Sequence, residues 1–186
     1  MYSHMIAVTD RKLCPRPLTE QLERLAATDV EAIVLREKDL DEAAYRKLAE
    51  EALEILAPYG KRLVLHTYLE TARALSCRSI HLPLPVLEKA GPGLAADFDW
   101  IGASVHSIDE ARRALACGAN HLTAGHIFET DCKKGLPGRG LDFLREICAA
   151  SPVPVYAIGG VTKDNLPVVM AAGAAGGCMM SAAMRF

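Results

Sequence analysis

The stretch from Ala32 to His66, AIVLREKDLDEAAYRKLAEEALEILAPYGKRLVLH, places two short apolar runs, Ala32–Leu35 and Arg62–His66, on either side of a longer helical pattern. Apolar residues dominate the runs instead of alternating with polar ones, as in strands covered on both faces. Between them, Asp41–Pro58 repeats apolar residues at Tyr45, Leu48, Ala49, Ala52, Ile55 and Leu56, one face of a 3.6-residue period. Glu42, Arg46, Glu50 and Glu54 give the opposite face its charge at i, i+4 spacing, which reads as a solvated surface. Strand, helix and strand in this order predict a parallel βαβ unit with a right-handed crossover.

The same pattern continues outward in both directions. Further runs lie at His4–Thr9, Ser79–Leu82, Trp100–His106, His121–Phe128, Val153–Ile158 and Gly176–Ser181. At the joints, Asp39 with Glu42, Thr67 with Glu70 and Ser107 with Glu110 resemble capping boxes, in which a carboxylate three residues on reaches back to the helix start. Gly60, Gly91, Gly118 and Gly173 are placed to close helices. Eight such units predict an α/β fold, a (β/α)8 TIM-type barrel of eight parallel strands, in one domain over residues 1–186. It is preferred to an open doubly wound sheet. The chain has 186 residues, short even against compact barrels of about 200. Because little follows Ser181, the last helix is expected to be truncated or missing. The groove left between helices one and seven predicts a homodimer.

Composition narrows the classes. Apolar residues make up 51% of the chain, enough for a sizeable core and too many for disorder. With 21 basic and 23 acidic residues the net charge is −2, so a general nucleic-acid binder is excluded. The cysteines show no CxxC spacing and the opening MYSHMIAVTD lacks an export signal, which predicts free thiols in the cytoplasm. Val168–Met184 is apolar but is broken by Gly173, Gly176 and Gly177 and falls short of a membrane span.

Barrels of this type carry their chemistry at the C-terminal ends of the strands. Those ends read Arg36-Glu37-Lys38, His66, Leu82-Pro83, Ser104 and His106, His126 to Lys134, Gly159-Gly160 and Ser181. The segment GHIFETDCKKGLPGRG, Gly125–Gly140, joins an imidazole, a hydroxyl, a thiol and two ammonium groups to a glycine-rich tail. It reads as a positively charged lid suited to closing over an anion. Gly159-Gly160 and Ser181, at the ends of strands seven and eight, stand where barrels often hold phosphate, although a Gly-Gly pair also suits a tight turn.

Taken in order, several pieces resemble the thiamin phosphate synthase superfamily, and within it the TenI-like thiazole tautomerases. They are Ala7-Val8-Thr9-Asp10, Leu35-Arg36-Glu37-Lys38, Gly102-Ala103-Ser104-Val105-His106-Ser107, the Gly125–Gly140 string, Ala157-Ile158-Gly159-Gly160-Val161 and Met180-Ser181. The resemblance to the tautomerase branch implies a cofactor-independent isomerase of thiamin biosynthesis. It would aromatise a thiazole carboxylate phosphate, with His126 as the catalytic proton shuttle. It also implies substrate binding by Arg36, Lys38, Ser104, His106, Thr130, Lys133, Gly159, Gly160 and Ser181, with no metal and no cofactor. The expected partner is the small-molecule thiazole phosphate, with no nucleic acid and no membrane. The departures point the same way. Synthases of the superfamily hold Mg²⁺-pyrophosphate with aspartates after strands three and four, where this chain has His66-Thr67 and His81-Leu82-Pro83. A hard dication prefers charged oxygen ligands. The alternatives are the Mg²⁺-dependent synthase itself and a non-catalytic, ligand-binding TenI-like protein.

Overall fold

A computed structural model describes residues 2–130 and 135–186. Eight parallel strands pair in sequence order and close, β8 returning to β1. They are β1 (Met5–Val8), β2 (Ala32–Leu35), β3 (Arg62–His66), β4 (Ser79–Pro83), β5 (Trp100–Val105), β6 (His121–Gly125), β7 (Val155–Ile158) and β8 (Gly176–Met179). The helices are α1 (Leu18–Ala26), α2 (Glu42–Leu56), α3 (Leu69–Ala74), α4 (Leu84–Ala90), α5 (Ile108–Ala116), α6 (Gly140–Ala150), α7 (Leu166–Ala171) and α8 (Ser181–Arg185). The TIM-type barrel is therefore the fold, and its last helix is a five-residue stub. That stub is tied to α1, where Gln21 Nε2 donates to the Ala183 carbonyl at 2.6 Å. Among the described residues no helix is long and apolar enough to cross a membrane.

Alternation along each strand splits the apolar residues into two sets. On β2, Ile33 and Leu35 face outward into the layer between sheet and helices, where they join Leu22, Leu25, Leu65 and Leu87. Ala32 and Val34 face inward and form a smaller cluster with Ile6, Val8, Val64, Tyr156 and Cys178. Layers of branched side chains fill most barrels of this kind. Here the inward positions of β3 to β6 carry His66, His81, Ser104, His121 and Thr123, and a cavity replaces the upper layers.

The helix starts differ from the sequence reading at two of three joints. Asp41, not Asp39, caps α2, accepting from the Ala44 amide at 2.8 Å. Asp39 instead pairs with Arg11 and Lys12 across the mouth. The start of α3 has no side-chain cap; Thr67 sits at φ +72° and bonds His66, while Glu70 pairs with Arg73. Only Ser107 caps as expected, accepting from the Glu110 amide at 3.1 Å. The sixth strand also ends earlier than Phe128. Gly125 is the last residue paired with β7, and Ile127 is apolar because a loop buries it.

Candidate active site

The ends of β1 and β2 are built first. Glu37, buried at the top of β2, accepts from the Thr9 hydroxyl at 2.7 Å and from the Arg11 guanidinium at 3.0 Å. The Arg36 amide donates to the same Thr9 oxygen at 2.9 Å. This network fixes the Arg36-Glu37-Lys38 turn, so Arg36 and Lys38 line the cavity while Glu37 is consumed in holding them there. Next to it, the buried Tyr45 hydroxyl on α2 donates to the Leu35 carbonyl and accepts from the His66 amide at 2.8 Å, tying α2 to the tops of β2 and β3.

The cavity has a volume of about 1310 Å³. Of the residues expected from the sequence, Arg36, Lys38, Ser104, His106, His126, Thr130, Gly159, Gly160 and Ser181 all line it. Lys133 lies outside the described residues. His126 is 7% exposed; its Nε2 lies 3.3 Å from the Leu136 carbonyl, and its Nδ1 is buried with no partner among the described residues. His106 is half exposed and has a carboxylate beside it, Glu110, whose Oε2 is 3.2 Å from Nδ1. The Gly-Gly pair works at close quarters: a Cβ at Gly160 would lie 2.7 Å from the Glu129 carbonyl oxygen. Both glycines have positive φ. The pair therefore seats the loop after β6 as well as lining the cavity.

His81 and His121 are buried, and they also belong to the cavity wall, on inward positions of β4 and β6. Between them on β5 stands Gly102, where a Cβ would lie 2.5 Å from His81 Nδ1 and 2.3 Å from His121 Nε2. The rings occupy the space its missing side chain leaves. The signal was present: Ile80 and Leu82 flank His81, and alternation sends it to the opposite face. Burial pushes the His66 imidazole down to about 3, helped by His81, Arg36 and Lys38. Burial and the Arg36 charge push His81 down to about 4. All three rings are thus neutral at neutral pH, His121 being held lowest by burial and the charges near it.

Among the described residues, the donor set at the tops of β3 and β4 does not suit a hard dication. At the tops of β3 and β4 stand His66 and Pro83. Three carboxylates among the described residues line the cavity: Glu88 pairs with Arg113, Glu110 accepts from the His106 amide at 2.6 Å, and Glu129 belongs to the loop after β6. Among the described residues no three His, Cys, Asp or Glu side chains converge as a metal site would require.

A family model described as thiamine monophosphate synthase matches residues 5–183. The thiamine-phosphate synthase of Moorella thermoacetica is 34% identical over 184 residues, 95% of this chain and 85% of that protein. That of Syntrophomonas wolfei is 32% identical, covering 95% of this chain and 86% of that protein. The solved structure of thiamine phosphate pyrophosphorylase from Pyrococcus furiosus superposes with a TM-score of 0.84 at 30% identity, covering 97% of this chain and 86% of that one. These relatives overturn the isomerase expectation. Along nearly its whole length the chain is similar to proteins named as synthases, which are transferases and not tautomerases. The tautomerase expectation rested on a handful of short pieces and on two missing aspartates, and the match along the whole chain outweighs them. The proton-shuttle role assigned to His126 falls with that reaction.

Proposed function

The chain belongs to the thiamine monophosphate synthase family, and from that membership we propose that it is a transferase forming thiamine phosphate from a pyrimidine pyrophosphate ester and a phosphorylated thiazole. The single observation that carries this reading is the match to named synthases over 95% of the chain. In the reaction, the bond between the exocyclic carbon of the pyrimidine and the pyrophosphate oxygen breaks, and the electron pair leaves with pyrophosphate. The thiazole ring nitrogen donates its lone pair to that carbon. No proton changes hands, so no general base is required.

What such a reaction asks of the protein is charge compensation and alignment. Arg36 and Lys38 supply positive charge on one side of the mouth, and Ser104, His106 and Thr130 offer side-chain hydrogen bonds around it. On the opposite side Gly159, Gly160 and Ser181 receive the thiazole phosphate. His126, with Nδ1 unpartnered among the described residues, positions a substrate polar group. The family's synthases use Mg²⁺, which this donor set does not fit, and no step here runs through it.

The test is to incubate the purified chain with both precursors, with Mg²⁺ and with EDTA, and to quantify thiamine phosphate and pyrophosphate chromatographically. Equal amounts of both products are expected. Binding of the precursors without either product would overturn the transferase reading in favour of a ligand-binding barrel, which the missing carboxylates favour.

A further inference from the structure

Asn120 leads into β6, and His121 is the first residue of that strand, at the end away from the charged mouth. The Asn120 side chain is held from both sides: Oδ1 accepts from the Ile101 amide at 2.9 Å, and Nδ2 donates to the Asp99 carbonyl at 2.7 Å. That orientation puts an acceptor 3.3 Å from His121 Nδ1. The proton of the neutral ring therefore sits on Nδ1, and Nε2 carries a bare lone pair. Burial, with His81 and Arg62 nearby, keeps the ring neutral by holding it down to about 2. Nε2 lies against the inner face of β5 where Gly102 has no side chain; a Cβ there would be 2.3 Å from it. The His121 ring lines the cavity, and the Trp100 ring is centred 4.4 Å from it. Across the barrel, Ile6, Val8 and Val34 of β1 and β2 line the same space and offer no side-chain hydrogen bond.

We propose that His121 is a specificity-determining residue whose Nε2 accepts a hydrogen bond from an amino group on a flat heteroaromatic ring, held in the barrel interior below the mouth. The choice of a pyrimidine as that ring rests on the transferase reading above. Three features of the chamber narrow the ligand. Aliphatic walls and an indole at the base favour a flat, weakly polar ring over a sugar or a free anion. A bare lone pair requires a donor; a carbonyl oxygen presented to it would leave two acceptors opposed in a poorly solvated space. A cation is disfavoured, because Arg36 and Arg62 are the charges that act on His81 and His121. Asn120 is the positioning residue. Without its Oδ1 the ring is free to carry the proton on Nε2, and the preference for a donor is lost.

The test compares 4-aminopyrimidine with 4-methylpyrimidine, which has the same shape and no donor, titrated into the full chain at slightly alkaline pH, where both rings are neutral. Wild type is expected to bind the amino ring at least about tenfold more tightly. His121→Phe should erase that preference while changing affinity for the methyl ring less than about twofold. Equal affinity of wild type for the two rings, binding of neither, or a preference that persists in folded His121→Phe overturns the proposal. Should that variant not fold, the imidazole nitrogen resonances of wild type serve instead. A proton on Nδ1, with an Nε2 signal that shifts on adding 4-aminopyrimidine, supports the site; a proton on Nε2, or no shift, overturns it. In Asn120→Ala the same resonances should show the proton shared with Nε2, and a proton still confined to Nδ1 overturns the positioning role. The two readings fail separately. A preference for the amino ring without condensation defeats the transferase and leaves the site; condensation by a chain that binds both rings equally defeats the site and leaves the transferase.

Discussion

A Cβ on Gly159 would lie 2.3 Å from the Cβ of His126, closer than two such atoms can approach. The chain after β6 is laid directly on the turn after β7, with the Ile127 amide donating to the Ile158 carbonyl at 2.9 Å and Phe128 to Gly159 at 3.0 Å. Gly159 also has φ +94°, a conformation that costs other residues about 1–2 kcal/mol. Gly159→Ala combines that strain with a backbone clash. The expected result is a loss of about 2 kcal/mol or more, read as a fall of roughly 4–8 °C in Tm. Condensation should fall further than stability, because His126 is displaced from the cavity. Unchanged Tm and turnover would contradict this packing.

Helix capping gives a second, contrasting pair of predictions. Ser107→Ala removes the hydroxyl that accepts from the Glu110 amide and should cost about 1 kcal/mol, or roughly 2–4 °C. Thr67→Ala removes no cap, since the start of α3 has none. Its effect should appear instead in condensation, because His66 lines the cavity and its ring is freed. Urea melts and condensation assays on both variants separate the two outcomes.

These contrasts show where the sequence was readable. Strand order and barrel closure followed from the spacing of apolar runs, and Arg62–His66 and Ala32–Leu35 coincide with β3 and β2. Spacing survives because burial between sheet and helices requires it. Caps were less readable, since Asp39 and Asp41 offer the same chemistry two residues apart and only the path of the loop decides. The wall formed by His81 and His121 escaped a reading by polarity alone. Their inward direction depends on Gly102 across the strand, a relationship between three strands that adjacent residues do not reveal. The reaction itself was misread, because local strings carry less information than a match along the entire chain.

Gly102→Ala tests that three-strand relationship. The added methyl would meet two imidazoles at 2.3 and 2.5 Å, and the strand backbone cannot retreat without breaking its pairing with β4 and β6. Both rings must rotate away. Condensation should fall by about tenfold or more, as the displaced rings misalign groups in the cavity. A crystal structure of the variant with both rings unmoved would refute the account.

Three neutral imidazoles inside one barrel also tie stability to pH. Their native values, about 3 for His66, about 4 for His81 and about 2 for His121, lie below the ordinary 6.5. Burial is the first cause in each; His121 also faces His81 and Arg62, and His66 faces His81, Arg36 and Lys38. Below about pH 6.5 the unfolded chain takes up protons that the native chain refuses, so stability falls as pH falls. Each ring contributes up to about 1.4 kcal/mol per pH unit until its native value is reached. Above pH 7 the effect vanishes, and between pH 6 and pH 4 it is steepest. Urea melts across this range should show the decline, and His121→Gln should reduce its slope by about one third. Stability that stays level from pH 7 to pH 5 would mean that these rings are already charged in the native barrel, or that the barrel opens to water around them.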